Sequence, residues 1–125
     1  MNTIFLNGTT YSGEIYNNKK HGHGILNTML GEKYEGEFEY GAYSGYGKHT
    51  FGQWTYVGQH YDGLRHGYGE LVNTVTGEFY KGYFMDGFPH GFGMASLYGN
   101  EKTAIKGQWA NGKYLYRTFY PNAKL

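Results

Sequence analysis

One spacing recurs along this 125-residue chain and restricts what it can fold into more than any other feature. Tyr80-Lys81-Gly82 is followed by Gly87 and then His90-Gly91-Phe92-Gly93, a pattern of Tyr-x-Gly-x-x-x-x-Gly-x-x-His-Gly-x-Gly. Tyr56-Val57-Gly58, with Gly63 and His66-Gly67-Tyr68-Gly69, repeats that spacing without change. Tyr34-Glu35-Gly36 repeats it through Gly41 and Ser44-Gly45-Tyr46-Gly47, and Tyr11-Ser12-Gly13 through Asn18 and His21-Gly22-His23-Gly24. A fifth copy opens at Ile105-Lys106-Gly107 and reaches Gly112 before the pattern ends. Starts 22 to 25 residues apart define a repeat array, whose units bury their apolar sides only against their neighbours.

The unit reads as a β-hairpin. No window sustains an apolar stripe at helical spacing. Short runs rich in Tyr, Phe, Ile and Thr are instead separated by Asn7-Gly8, Asn17-Asn18, Tyr40-Gly41, Asp62-Gly63, Asp86-Gly87 and Asn111-Gly112. These are residues suited to two-residue turns in which both central positions take positive φ. Outgoing strands are expected over residues 9–16, 33–39, 54–60, 78–84 and 103–109, and returning strands from Gly22, Gly45, Gly67 and Gly91. With a half unit over residues 1–8 and a closing run from Tyr114 to Tyr120, the whole chain is one array of about eleven strands.

Two excesses say how the strands pack. The chain holds 22 glycines, all in register with the repeat, together with 15 tyrosines, 8 phenylalanines and 2 tryptophans. A disordered glycine-rich chain would be poor in aromatics. Each glycine inside a strand costs roughly 0.5–1 kcal/mol relative to alanine. The expected compensation is aromatic rings laid across bare backbone, a packing that a Cβ would block.

These residues resemble the MORN repeat family (membrane occupation and recognition nexus), whose unit is Tyr-x-Gly-x-[Trp/Phe]-x-x-Gly-x-x-x-Gly-x-Gly. The likeness runs from about Thr9 to Gly112. It implies an all-β fold, an elongated single-layer antiparallel sheet of stacked hairpins with a groove on one side. It further implies that the groove is lined by Tyr11, Tyr34, Tyr56 and Tyr80, with Phe38, Phe84 and Trp109 two residues past the first glycine. Ile15 and His60 replace that second aromatic, Asn18 an inner-turn glycine, Ser44 the histidine, and Ile105 the leading tyrosine.

The rest of the sequence narrows the chemistry. Eleven basic and ten acidic residues are dispersed, with no basic cluster, so no nucleic-acid partner is expected. There is no cysteine. His21, His66 and His90 should line up along the array rather than converge, so no metal is expected, and they read as hydrogen-bonding residues at the turns. Gly45-Tyr46-Gly47-Lys48 lacks the remaining elements of a phosphate loop. No serine, acid and base form a catalytic constellation, so neither an enzyme nor a cofactor is expected. The N-terminus lacks a signal-peptide pattern, and the expected location is the cytoplasm, at the cytoskeleton or the inner membrane surface.

Function is therefore expected to be capture of a helical or extended segment of a partner protein in an aromatic groove. The rings are expected to keep one face free for it, because no helix in the sequence could cover the sheet. A first alternative is a peripheral adaptor for anionic phospholipid, with Lys19, Lys20, Arg65, Lys113 and Arg117 near the inner turns as candidate contacts. A second, implied by the resemblance alone, is a companion or fragment of a MORN-containing lysine methyltransferase or lipid kinase. The apolar terminal runs, Thr3 to Leu6 and Tyr114 to Tyr116, suit pairing with a second copy as a homodimer.

Overall fold

The computed structural model describes residues 2–116, with side chains from Asn7 onward. Eleven strands form one antiparallel sheet whose spatial order is the order of the chain. They are β1 (Asn2–Leu6), β2 (Thr9–Tyr16), β3 (Lys19–Asn27), β4 (Lys33–Glu39), β5 (Ala42–Phe51), β6 (Trp54–Tyr61), β7 (Leu64–Asn73), β8 (Phe79–Met85), β9 (Phe88–Ser96), β10 (Ile105–Ala110) and β11 (Lys113–Tyr116). The one other regular element among the described residues is a single 3-10 turn, Glu101–Thr103. At about 4.8 Å per strand spacing, the ribbon is roughly 48 Å across.

Returning strands begin directly after their turns, at Ala42, Leu64 and Phe88, and not three residues later at the glycine pairs. The reason is the turn geometry. Asp62 and Gly63 have φ of 51° and 85°, so Tyr61 pairs at once with Leu64. Asn17 and Asn18 make the same turn at 50° and 63°, a conformation asparagine tolerates because its short amide bonds locally. The outgoing strand expected from Thr103 starts instead at Ile105, because Asn100 caps the 3-10 turn by accepting from the Lys102 amide. Residues 117–120 of the closing run lie outside the described residues.

A row of glycines crosses the sheet. Gly13, Gly24, Gly36, Gly47, Gly58, Gly69, Gly82, Gly93 and Gly107 are successive cross-strand partners. A Cβ on Gly24, Gly47, Gly69 or Gly93 would be driven into the ring of Tyr11, Tyr34, Tyr56 or Tyr80 respectively. Each leading tyrosine therefore lies flat along its own hairpin, over backbone that only glycine leaves bare.

The tyrosine hydroxyl fixes a second feature of the hairpin. Register slips by one residue just past the first glycine, between Gly13 and Ile15, Gly36 and Phe38, Gly58 and His60, and Gly82 and Phe84. Such a β-bulge leaves backbone groups without ladder partners. Here the tyrosine hydroxyls of residues 11, 34, 56 and 80 donate to the bulge carbonyls of Glu14, Glu37, Gln59 and Tyr83 at 2.6–2.8 Å. In the first three units the bulge side chain also accepts from the returning strand, at the amides of His23, Tyr46 and Tyr68. Tyr83 cannot accept in that way, and its ring packs instead beside Tyr68, with centroids 5.6 Å apart.

Neighbouring units are stitched at the turns as well as by the ladder. The Gly41, Gly63, Gly87 and Gly112 amides donate to the carbonyls of Lys20, Tyr43, Arg65 and Pro89 in the preceding hairpin, at 2.8–3.0 Å. His21 and His66 accept through Nδ1 from the Tyr40 and Asp86 amides of the next turn, at 3.2 and 3.4 Å. His90 repeats the position, but its Nδ1 has no partner among the described residues.

Candidate functional site

Strand alternation places Tyr34, Gly36 and Phe38 on one face of β4 and Lys33, Glu35, Glu37 and Glu39 on the other. The first will be called the ring face. Along it Tyr11 meets Phe38 edge-on at 5.2 Å, Phe38 meets Tyr34 at 5.0 Å, and Tyr56 meets Phe84 at 5.2 Å. Phe84 then meets Tyr80 at 5.0 Å, and Tyr80 meets Trp109 at 5.2 Å. These are the edge-to-face contacts aromatic quadrupoles favour.

The expectation that each ring keeps an open face is corrected by burial. Tyr34 and Tyr56 are 0% exposed, and Tyr11, Phe38, Phe84 and Tyr80 are buried too. The cover comes from positions without a part in the motif. Leu26, His49, Leu71 and Ala95 stand directly opposite Tyr11, Tyr34, Tyr56 and Tyr80. The second residue after each inner turn closes the other side: the Tyr43 ring stacks on Tyr34 at 3.8 Å, and the Arg65 guanidinium sits 5.9 Å from the Tyr56 centroid. Burial raises the Tyr34 and Tyr56 hydroxyls above the ordinary phenol range, and pushes Tyr43 and Tyr80 up to about 12. The leading tyrosines are the core of this fold.

His60 occupies a second-aromatic position and behaves as one. Its ring meets Tyr34 at 5.2 Å and Tyr56 at 5.0 Å, both edge-on. It is 5% exposed, and desolvation lowers its pKa to about 4, so the ring is neutral at physiological pH. Ile15, the other replacement, packs half-buried against the cluster of Tyr11, Tyr34 and Phe38.

The cover thins in the fourth unit, where Tyr80 is nonetheless buried. Ala95 stands where Leu26 and Leu71 stand in earlier units, and Ile105 replaces the next leading tyrosine. The chain between β9 and β10 meanwhile swings out through Leu97, Tyr98 and the 3-10 turn. The result is a trough of about 690 Å³ bordered by Trp54, Leu71, Tyr80, Pro89, Ala95, Ile105 and Trp109. Leu97, Tyr98 and Ile105 stand exposed at its rim. Trp109 is held in its wall by donating Nε1–H to the Gly93 carbonyl at 3.1 Å. Of the seven aromatics expected to line a groove, Tyr80 and Trp109 reach this trough. Trp54, Leu71 and Ala95 were not singled out by the sequence reading, and Ile105 only as a departure from the leading tyrosine. The usable signal was the residue two past the second glycine, apolar in three units and reduced to alanine only before the widened loop.

The basic residues do not form one surface. Lys20 and Arg65 fold inward over Tyr11 and Tyr56. Lys19 and Lys113 stand exposed at the turn edge, which they share with exposed Asp62 and Asp86, and Arg117 lies outside the described residues. Among the described residues no group of three or more metal-ligating side chains converges, and no helix is long and apolar enough to cross a membrane.

Fold and trough together define a class, a hairpin-repeat ribbon with an uncovered apolar recess near one end. A family model for the MORN repeat matches residues 11–26, 34–55, 56–73 and 80–96. The chain belongs to the MORN repeat family, which commonly takes part in protein or membrane interaction. It is 36% identical over 91 residues to an ALS2 C-terminal-like protein of Bos taurus and 35% identical over the same length to its Homo sapiens counterpart. Each match covers 68% of this chain and 9% of the relative, so the chain spans about a tenth of the length of these relatives.

Proposed function

We propose that this chain is a non-catalytic interaction module that holds an apolar-anchored segment of a partner protein, helical or extended, in the trough of its fourth and fifth units. The observation that carries this is the trough itself, about 690 Å³ and lined mainly by apolar side chains, on a sheet whose leading tyrosines are buried by their own neighbours. Recesses of this size with a few fixed polar groups are where ligands and peptide anchors bind. An amphipathic helix would place one or two large apolar side chains against Leu71, Ala95 and Ile105.

The adaptor reading, capture of anionic lipid, draws less support. Membrane attachment through charge needs several cations together, whereas Lys19 and Lys113 lie far apart on an edge shared with Asp62 and Asp86.

The test is a display selection of peptides on the immobilised chain, scored by tryptophan fluorescence. Both tryptophans of the sequence, Trp54 and Trp109, border the trough, so occupancy should change their emission. Leu97→Asp with Ile105→Asp should abolish capture while the β-rich circular dichroism stays unchanged. Binding that survives this rim variant would place the interaction elsewhere. Vesicles containing phosphatidylserine that shift the same fluorescence in low salt, with no peptide selected, would favour the lipid reading.

A further inference from the structure

Ser44 leaves open a slot that histidine fills elsewhere in the array. In the first unit the His21 ring lies between Tyr16 and Tyr40, with centroids 5.4 and 4.9 Å away, and its Nδ1 accepts from the Tyr40 amide. In the third unit His66 lies 5.8 Å from the Tyr61 ring, accepts from the Asp86 amide and stands 3.8 Å from the Asp86 carboxylate. Each slot thus has two walls, the last residue before one turn and the first residue of the next turn. In the second unit those walls are Glu39 and Asp62, and Ser44 puts no ring between them. What remains is a recess of about 270 Å³ bordered by Glu39, Tyr40, Tyr43, Ser44, Tyr61 and Asp62. Tyr40 and Tyr61, each already in contact with one of the two histidines, stand exposed at its rim.

The charge of this recess is negative and unpaired. No lysine, arginine or histidine lines it, and neither Glu39 nor Asp62 forms an ion pair among the described residues. The cations on either side are engaged elsewhere: Lys20 sits 5.9 Å from the Tyr11 centroid, and Arg65 donates to the Gly87 carbonyl. Carboxylates accept strongly from charged N–H groups, and tyrosine faces attract the same charge. A guanidinium satisfies both, being planar, able to stack on a ring and rich in donors. The chain's own imidazoles show that the equivalent slots take a flat nitrogen-bearing ring.

We propose that the Ser44 slot receives a guanidinium, the side chain of an arginine on a polypeptide partner, gripped by Glu39 and Asp62 with Tyr40 and Tyr61 beside it. The slot shares no residue with the trough, so its test is separate from that of the capture site.

The full chain, isotope-labelled, would be titrated with N-acetyl-arginine methylamide and with the neutral N-acetyl-citrulline methylamide while backbone amide shifts are followed. Saturable shifts should centre on Tyr40, Ser44 and Asp62, with the citrulline compound binding at least about fivefold more weakly. N-acetyl-lysine methylamide should fall between the two, because its ammonium cannot lie flat on a ring. Ser44→His should place an imidazole in the slot and remove the response, with circular dichroism and urea unfolding reporting an intact sheet. Glu39→Gln combined with Asp62→Asn should bring the arginine compound down to the citrulline affinity. Equal binding of the arginine and citrulline compounds, or an undiminished response in folded Ser44→His, would overturn the proposal. Lysine binding as tightly as arginine would overturn the choice of guanidinium. Free arginine binding more tightly than the capped compound would overturn the polypeptide source in favour of a small molecule.

Discussion

Gly69→Ala tests the interlock of ring and backbone on which this fold rests. Gly69 pairs with Gly58 across the β6–β7 ladder, and the new methyl would enter the Tyr56 ring. If the ring is expelled, about 150–250 Å² leaves the core. At roughly 25 cal/mol per Å² that loses about 4–6 kcal/mol. The hydroxyl would also release the Gln59 carbonyl, worth about 1–3 kcal/mol when left buried without a partner. If the ring only tilts, overpacking costs about 1–3 kcal/mol. Against either stands a gain of roughly 0.5–1 kcal/mol from removing a strand glycine. The net expectation is a loss of about 4–8 kcal/mol if the ring is expelled and of up to about 2.5 kcal/mol if it only tilts, read from urea unfolding by tryptophan fluorescence. Gly31→Ala is the control: nothing lies within 4 Å of its added methyl, and its φ of 88° costs about 1–2 kcal/mol by itself. A double-mutant cycle with Tyr56→Leu should show the alanine costing less once the ring is gone. A Gly69→Ala variant as stable as the parent, or strict additivity in the cycle, would refute the reasoning.

Three further outcomes follow from the same geometry. Tyr56→Phe keeps the ring but orphans the Gln59 bulge carbonyl, and should lower stability by about 1–3 kcal/mol in the same urea assay. His60 has a folded pKa of about 4 against an ordinary 6.5, so the unfolded chain binds the extra proton between these values. Its contribution is complete above pH 6.5 and is lost on the way down to 4, by about 3 kcal/mol, and His60→Phe should flatten that part of the stability profile. Tyr43 and Tyr80 are raised from 10 to about 12, so the stability they contribute is complete below pH 10 and is lost as pH rises through 12. Alkaline unfolding should therefore coincide with the phenolate absorbance step.

The hairpins were legible because turn chemistry and glycine spacing are local. Asn7-Gly8 or Asp86-Gly87 declares a positive-φ turn from two residues, and the fixed distance from Tyr to the glycine pair sets the register that aligns Gly13 through Gly107. Burial was less legible, since it depends on what stands opposite. Tyr34 reads the same whether or not Tyr43 and His49 close over it. The bulge had a signal that was missed, an acceptor directly after the first glycine at Glu14, Glu37 and Gln59. The trough was hidden because it arises from a difference between units, the shrinkage of Leu71 to Ala95 beside a loop that turns outward. Repeat reasoning emphasises what units share, whereas the candidate site lies where one of them departs.

The most direct measurement is backbone chemical-shift mapping of the full chain while a trough-selected peptide is titrated in. Perturbations should gather at Leu71, Ala95, Leu97, Ile105 and the two tryptophan indoles. Shifts gathered instead on the back face, around Tyr46, Tyr68 and Tyr83, would contradict the account.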